Sequence, residues 1–194
     1  MKKKQILLHI CCGPCALYPL KVLREEGFEV VGFFYNPNIH PYREFRRRIS
    51  ALRQVAEKKD LEVIWNRDYG LRTFLREVIF REDDRCEVCY YLRLRETARL
   101  AAELKVEAFT TTLLYSPFQK HELIRDIGEA LAARFKVTFL YQDFRPGYRK
   151  GQEEAITLGI YRQPYCGCIF SEEERYDKKL RRRRQRHESF HRIS

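Results

Sequence analysis

Five apolar runs, each too short for a helix and each followed by a stretch with helical periodicity, constrain this chain more than any other feature. "QILLHI", "FEVVGFFYNPN", "LEVIW", "EAFTTTLLYS" and "KVTFLYQDF" read as buried strands, most of them closed by turn residues. Between them, "ALYPLKVLREEG" reads as a helix ending at Gly27. Residues 41–59 carry Phe45, Ile49, Leu52 and Ala56 at helical spacing, with Arg43, Arg46, Arg47, Arg48 and Arg53 expected elsewhere on that helix's surface. "LRTFLREVIF", "CEVCYYLRLRETARLAAEL" and "HELIRDIGEALAARF" supply three further helices. Strands that alternate with helices predict an α/β fold with a parallel sheet of about five strands covered on both faces, joined by right-handed crossovers. With no internal repeat and no linker, 194 residues are expected to form a single α/β domain over 1–194, the segment 172–194 being a basic C-terminal extension.

In such sheets, ligands bind beyond the carboxyl ends of the strands. The residues at those ends are chemically loaded: Cys11 to Cys15 after the first strand, Asn36 to His40 after the second, Asp68 after the third. Thr110 to Ser116 follow in the fourth and Asp143 in the fifth. Five loops are therefore expected to converge on one rim.

All seven cysteines fall into three groups: Cys11-Cys12-x-x-Cys15, Cys86-x-x-Cys89 and Cys166-x-Cys168. The amino terminus imitates a signal peptide only briefly, because its apolar run meets His9 and then a cysteine pair. No run approaches the ~20 apolar residues of a membrane helix. A cytoplasmic protein without membrane contact is expected, and there grouped cysteines point to metal or redox chemistry rather than to structural disulfides. Cys86 and Cys89 lie at i and i+3 in a helix's first turn, where the helix dipole favours thiolate. Adjacent Cys11 and Cys12 suit tetrahedral zinc poorly, whereas an iron–sulfur cube accepts thiolates from separate corners. Cys11, Cys12, Cys86 and Cys89 are thus candidate ligands of a 4Fe–4S cluster. The Cys-Gly-Pro-Cys segment alone would suit a thioredoxin-like dithiol, but the β/α units continue well beyond that small fold. Cysteines and Pro14 stand where an ATP-using fold of this kind would carry a phosphate loop.

The blocks "LLHICCGPC", "GFFYNPNIHPYREFRRR", "RCEVCYYLRLRETA", "FTTTLLYSPFQ" and "YRQPYCGCIFS" resemble the QueH-type epoxyqueuosine reductases, the cobalamin-independent family. The resemblance implies a Rossmann-like domain, an iron–sulfur cluster and a second metal close to it. It also implies reductive removal of the epoxide oxygen of epoxyqueuosine at the wobble position of tRNA. Cys15, left over from the expected cluster set, would join Asp68 and Asp143 around a mononuclear iron, a mixed thiolate–carboxylate set that suits this metal. Cys166 and Cys168 read either as a strained, readily reduced dithiol pair or as further ligands, and the dithiol reading is preferred. On it, Cys15, Cys166 and Cys168 are the residues expected to act in the reaction.

The net charge of +11 favours a polyanionic partner. Seven of the nine residues from Lys178 to Arg186 are basic. Arg43, Arg46, Arg47, Lys178, Lys179, Arg181, Arg182, Arg183 and Arg184 are the expected phosphate contacts to tRNA. Tyr35, Tyr42, Tyr115, Phe118 and Tyr161, in or near the rim loops, could stack a splayed base. Two rivals stand beside this reading: a zinc-stabilised, non-catalytic RNA-binding module and a tRNA sulfur-transfer enzyme. The electron donor is not legible in the sequence.

Overall fold

The structure is a computed structural model, and it describes residues 4–179. The sheet is parallel, and its centre is β1 (Gln5–His9), whose residues after Gln5 are fully buried. β1 pairs with β2 (Glu29–Phe34) on one side and β4 (Ala108–Thr111) on the other, with Leu7 opposite Val31 and Phe109. β3 (Val63–Trp65) lies beyond β2 and β5 (Thr138–Phe139) beyond β4, giving the order β3-β2-β1-β4-β5. The expected α/β fold is therefore present. A strand hydrogen-bonded on both sides and packed on both faces must be continuously apolar, which is why "ILL" shows no alternation.

α1 (Gly13–Glu25) packs against α2 (Tyr42–Lys58) and α6 (Tyr148–Thr157). α4 (Arg85–Leu104) packs against α3 (Leu71–Val78) and α5 (His121–Phe135). A short α7 (Ile169–Tyr176) follows the last cysteine group. On α2 the buried face is Phe45, Ile49, Leu52 and Val55, and Arg43, Arg46, Arg47 and Arg53 are exposed as the periodicity requires. Arg48 is the exception: it is buried at 1% exposure, against the expectation of a surface residue. Among the described residues, no helix is long and apolar enough to cross a membrane.

Three departures from the sequence expectation shape the site. α1 begins at Gly13 with Pro14 in its first turn, three residues earlier than expected. Proline's fixed φ suits a first helical turn, where its missing N–H costs nothing. Gly13 is required because a β-carbon there would lie 2.6 Å from the carbonyl oxygen of Ala51 on α2. β4 stops at Thr111, and Thr112–Tyr115 coil into a 3-10 turn capped by the Thr111 hydroxyl oxygen, which accepts from Leu113 N at 3.1 Å. Residues 148–157 and 169–176, where the sequence pattern names no helix, are the helices α6 and α7.

Candidate metal centre and cavity

The chain leaves β1 in one direction toward β2 and β3, and reaches β4 and β5 on the other side. The crevice beyond β1 and β4 is thus the switch point where an α/β sheet opens. Cys11 and Cys12 follow β1 there, and Cys15 sits in the first turn of α1. Their sulfurs all lie within 4.8 Å of one another, and the three residues are buried. Cys11 Sγ and Cys12 Sγ are 3.7 Å apart. The Thr112 hydroxyl accepts from Cys11 N at 3.1 Å and donates to Cys11 Sγ at 3.5 Å. Gln163 Nε2 donates to Cys15 Sγ at 3.3 Å.

The three thiols share their charge unequally. Hydrogen bonds from Cys12 and Cys15 hold Cys11 well below the usual thiol range, and Arg93 and Thr112 act in the same direction. Cys12 is raised chiefly by burial, and Cys15 chiefly by its bonds to Cys11 and Cys12. Of the three, Cys11 is the thiol whose charged form its neighbours favour most. A thiophilic cation that drew off the remaining protons would find three ligands already gathered.

A cavity of about 350 Å³ opens onto this trio. Cys11, Cys15 and Arg93 line it together with Thr112, Gln119 and Cys166. Its size falls at the lower end of small-molecule sites, ~300–1,000 Å³.

The remaining cysteines come from α4 and from the loop before α7, and Cys166 lines the same cavity as Cys11, Cys15 and Arg93. Cys86 and Cys89 open α4, and Cys89 is buried. Burial pushes the Cys89 thiol up to about 12, outweighing the helix-terminus effect expected from the sequence. The charges of Cys166 and Cys168 also reach it. The loop carrying Cys166 and Cys168 is fastened to β2's end and α2. Arg48 donates to the carbonyls of Cys166 and Tyr165 at 2.7 and 2.8 Å, and His40 N donates to Gly167 O at 2.7 Å. Gly167 has φ +148°, and a β-carbon there would meet Arg48 Nη1 at 3.1 Å, so glycine is required on both counts. Cys166 is exposed, Cys168 is half-buried, and both are free thiols. Gln119 Nε2 donates to Cys166 Sγ at 3.3 Å, and Tyr90 Oη fixes that amide by donating to Gln119 Oε1 at 2.9 Å.

Other expected site residues lie elsewhere or are otherwise engaged. Cys15 sits with Cys11 and Cys12 rather than with the aspartates. Exposed Asp68 turns back on its own loop, its Oδ1 accepting from Gly70 N at 3.0 Å. Exposed Asp143 is held by Arg145, whose backbone N and guanidinium both donate to it at 2.7–3.0 Å and keep its carboxyl below the usual range. Among the described residues, neither joins a metal-ligating group with the three sulfurs. Arg43, Arg46 and Arg47 are exposed, and Arg47 stacks over Tyr161 at 5.6 Å, beside the cavity-lining Arg162. Lys178 and Lys179 are exposed, while Arg181, Arg182, Arg183 and Arg184 lie outside the described residues. Sequence reasoning missed Gln119, Gln163, Arg48 and Arg93. Glu44–Arg48 at i, i+4 and Cys86–Cys89–Arg93 at helical spacing were the signals that could have found the two arginines.

Comparison with known proteins follows the same outline. A family model described as "Epoxyqueuosine reductase QueH" matches residues 6–174. A protein of that name from Dehalococcoides mccartyi is 39% identical over 174 residues, 90% of this chain and 96% of its own length. One from Thermotoga maritima is 37% identical over 183 residues, 89% of this chain and 93% of its own. Among solved structures, a "predicted subunit of tRNA methyltransferase" from Methanocaldococcus jannaschii superposes with a TM-score of 0.54 over 79% of this chain and 74% of that one. At 11% identity, that likeness speaks for the fold alone.

Proposed function

The chain belongs to the QueH family of epoxyqueuosine reductases, and on that premise we propose that it is an oxidoreductase converting epoxyqueuosine to queuosine at the wobble position of tRNA. The observation that carries the reading at the level of chemistry is the buried trio Cys11, Cys12 and Cys15 at the edge of a cavity. The reaction breaks both epoxide C–O bonds, forms a C=C bond, and takes up two electrons and two protons as the oxygen leaves as water. Iron centres held by these thiolates would supply the electrons and a Lewis acid for the oxygen. The chain's own residues shape the rest. The cavity would receive the ring, Thr112 and Gln163 donate to the Cys11 and Cys15 sulfurs, and Gln119 donates to Cys166.

The gathering of Cys11, Cys12 and Cys15 favours a division different from the one the spacing suggests. The 3.7 Å between Cys11 and Cys12 matches the edge of a tetrahedron of thiolates about 2.3 Å from one metal ion. The trio would therefore suit the single iron, and Cys11 and Cys15 of it line the cavity. Cys86, Cys89, Cys166 and Cys168 then suit the 4Fe–4S cluster. The exposure of Cys166 favours a second reading for that pair, a dithiol that relays electrons through an internal disulfide. Cys168→Ser separates the two. Loss of cluster iron, which we expect, makes Cys168 a ligand. Retained iron with single but not multiple turnover makes it half of a relay.

The exposed arginines of α2, of which Arg47 stacks over Tyr161, with Lys178, Lys179 and the basic residues that follow in sequence, support phosphate contact with the tRNA, and a cytoplasmic enzyme follows from that substrate. The decisive assay incubates anaerobically reconstituted protein with a reductant and epoxyqueuosine-containing tRNA. Recovery of queuosine nucleoside, one oxygen lighter, supports the reading. A colourless, zinc-loaded protein that binds RNA without turnover would return it to a binding module, and a sulfur-bearing product would make it a sulfur-transfer enzyme.

A further inference from the structure

Arg48 and Arg93 are both buried at 1% exposure, yet the fold provides for them differently. Arg48 has an ion pair with Glu44 at 2.7 Å and two carbonyl acceptors. Arg93 has one: its Nε donates to Asn38 Oδ1 at 2.8 Å, while its Nη2 is buried without a hydrogen-bond partner. Among the described residues, no carboxylate forms an ion pair with it. The polar groups around it are neutral or unsatisfied themselves. The Nδ2 of Asn38 and both ring nitrogens of His40 lack partners. An unpaired cation in a dry interior is costly unless a counter-charge arrives.

The groups able to supply that charge are sulfurs. Arg93 lines the cavity together with Cys11, Cys15 and Cys166. Burial raises the Cys89 and Cys166 thiols, and the Arg93 charge opposes that rise; it adds to the hydrogen bonds that lower Cys11 and to the burial that disfavours protonation of His9 and His40. Arg93 thus shares one cavity with two cysteines of the trio and with Cys166, from a position one turn beyond Cys89 on the same helix.

We propose that Arg93 is the fixed counter-charge shared by both thiolate groups, and that it sets the reduction potential of the metal centres they hold. The proposal rests on the metal reading above. Arg93 acts through the thiolates, so it is a charge-setting rather than a catalytic residue. Adding an electron makes a centre more negative, and a buried cation beside it favours that reduced form. Removing the cation makes reduction harder.

The test is a potentiometric titration of anaerobically reconstituted full-length protein as the native chain, Arg93→Gln and Arg93→Lys, with iron content measured in parallel. With iron content unchanged, Arg93→Gln is expected to move the one-electron equilibrium toward the oxidised form by about tenfold, a 59 mV drop. Arg93→Lys, which keeps the charge, stays within a few-fold of native. An unchanged potential in Arg93→Gln overturns the proposal, as does an equal drop in Arg93→Lys, which would assign the effect to the planar contact with Asn38. If Arg93→Gln takes up no iron, normal loading of Arg93→Lys supports the need for charge, and its failure overturns it. A native chain that takes up no iron overturns the metal reading and this inference together. An unchanged potential overturns the inference alone.

Discussion

Arg48 shows how one side chain can hold a reactive loop. Its guanidinium binds Glu44 one turn earlier on α2 and reaches the carbonyls of Tyr165 and Cys166, and Tyr161 Oη donates to the second oxygen of Glu44 at 2.5 Å. Every strong bond of this buried pair points toward the segment that carries Cys166 and Cys168. Arg48→Met is expected to cost about 3–5 kcal/mol, because it strands the Glu44 carboxylate in the interior. The double variant Glu44→Leu/Arg48→Met, which removes both charges, recovers most of that loss in chemical denaturation. A single variant as stable as native would show that Glu44 is solvated in solution. His9 makes a different kind of commitment. Its Nδ1 meets the Thr111 hydroxyl at 2.8 Å and its Nε2 the Tyr35 carbonyl at 3.1 Å, so Nε2 carries the proton and the ring is neutral. Burial, and then the charge of Arg93, lower its pKa from 6.5 to about 4. Between those values the unfolded chain binds the proton more readily than the folded one, so stability falls as pH drops through that window. The cost from this group reaches ~3 kcal/mol. Urea unfolding of the metal-free protein at several pH values measures it, and His9→Gln is expected to flatten the slope.

Among the elements, the central strands and the longer helices were legible because their patterns are strong: a continuous apolar run in β1, and a repeating apolar face in α2, α4 and α5. α6 and α7 were not. "YRKGQEEAIT" offers few apolar positions and a glycine, and its Gly151 is demanded by Tyr115, whose hydroxyl would lie 2.4 Å from a β-carbon. A neighbour that far away in sequence leaves no local signal. The cysteine groups were legible as a set, but their partition was not. Spacing cannot show that α1 starts at Gly13 and swings Cys15 back over Cys11 and Cys12, nor that Asp143 is taken by Arg145. The close approach of α1 to α2 can be tested directly. Gly13→Ala drives a methyl into the Ala51 carbonyl, and overpacking of this kind costs about 1–3 kcal/mol. Because Cys15 rides on the same turn, the variant is also expected to take up less metal than native at equal protein. Normal uptake with lowered melting temperature would show that the trio tolerates a shifted helix.

At the scale of the whole molecule, the charge of +11 has a place to act. Arg43, Arg46 and Arg47 are exposed on the helix that also anchors the Cys166 loop, so the proposed phosphate contacts and that loop would share one support. Replacing these three with Gln is expected to weaken tRNA binding and flatten its log–log salt dependence by ~0.7–0.9 for each phosphate no longer neutralised. An unchanged slope would return them to the solvated surface.

The centre of the sheet is also its most protected part. β1, hydrogen-bonded on both sides, leads directly into Cys11 and Cys12, whereas β3 has three residues and β5 two. Opening free energies differ across a fold, and short outer strands with little interior packing lie at the low end. Amide hydrogens of β3 and β5 should therefore exchange well before those of β1, and warming should fray the margins of the sheet while the sulfurs stay gathered. The first two cysteines of the candidate centre are thus joined to the strand expected to come apart last.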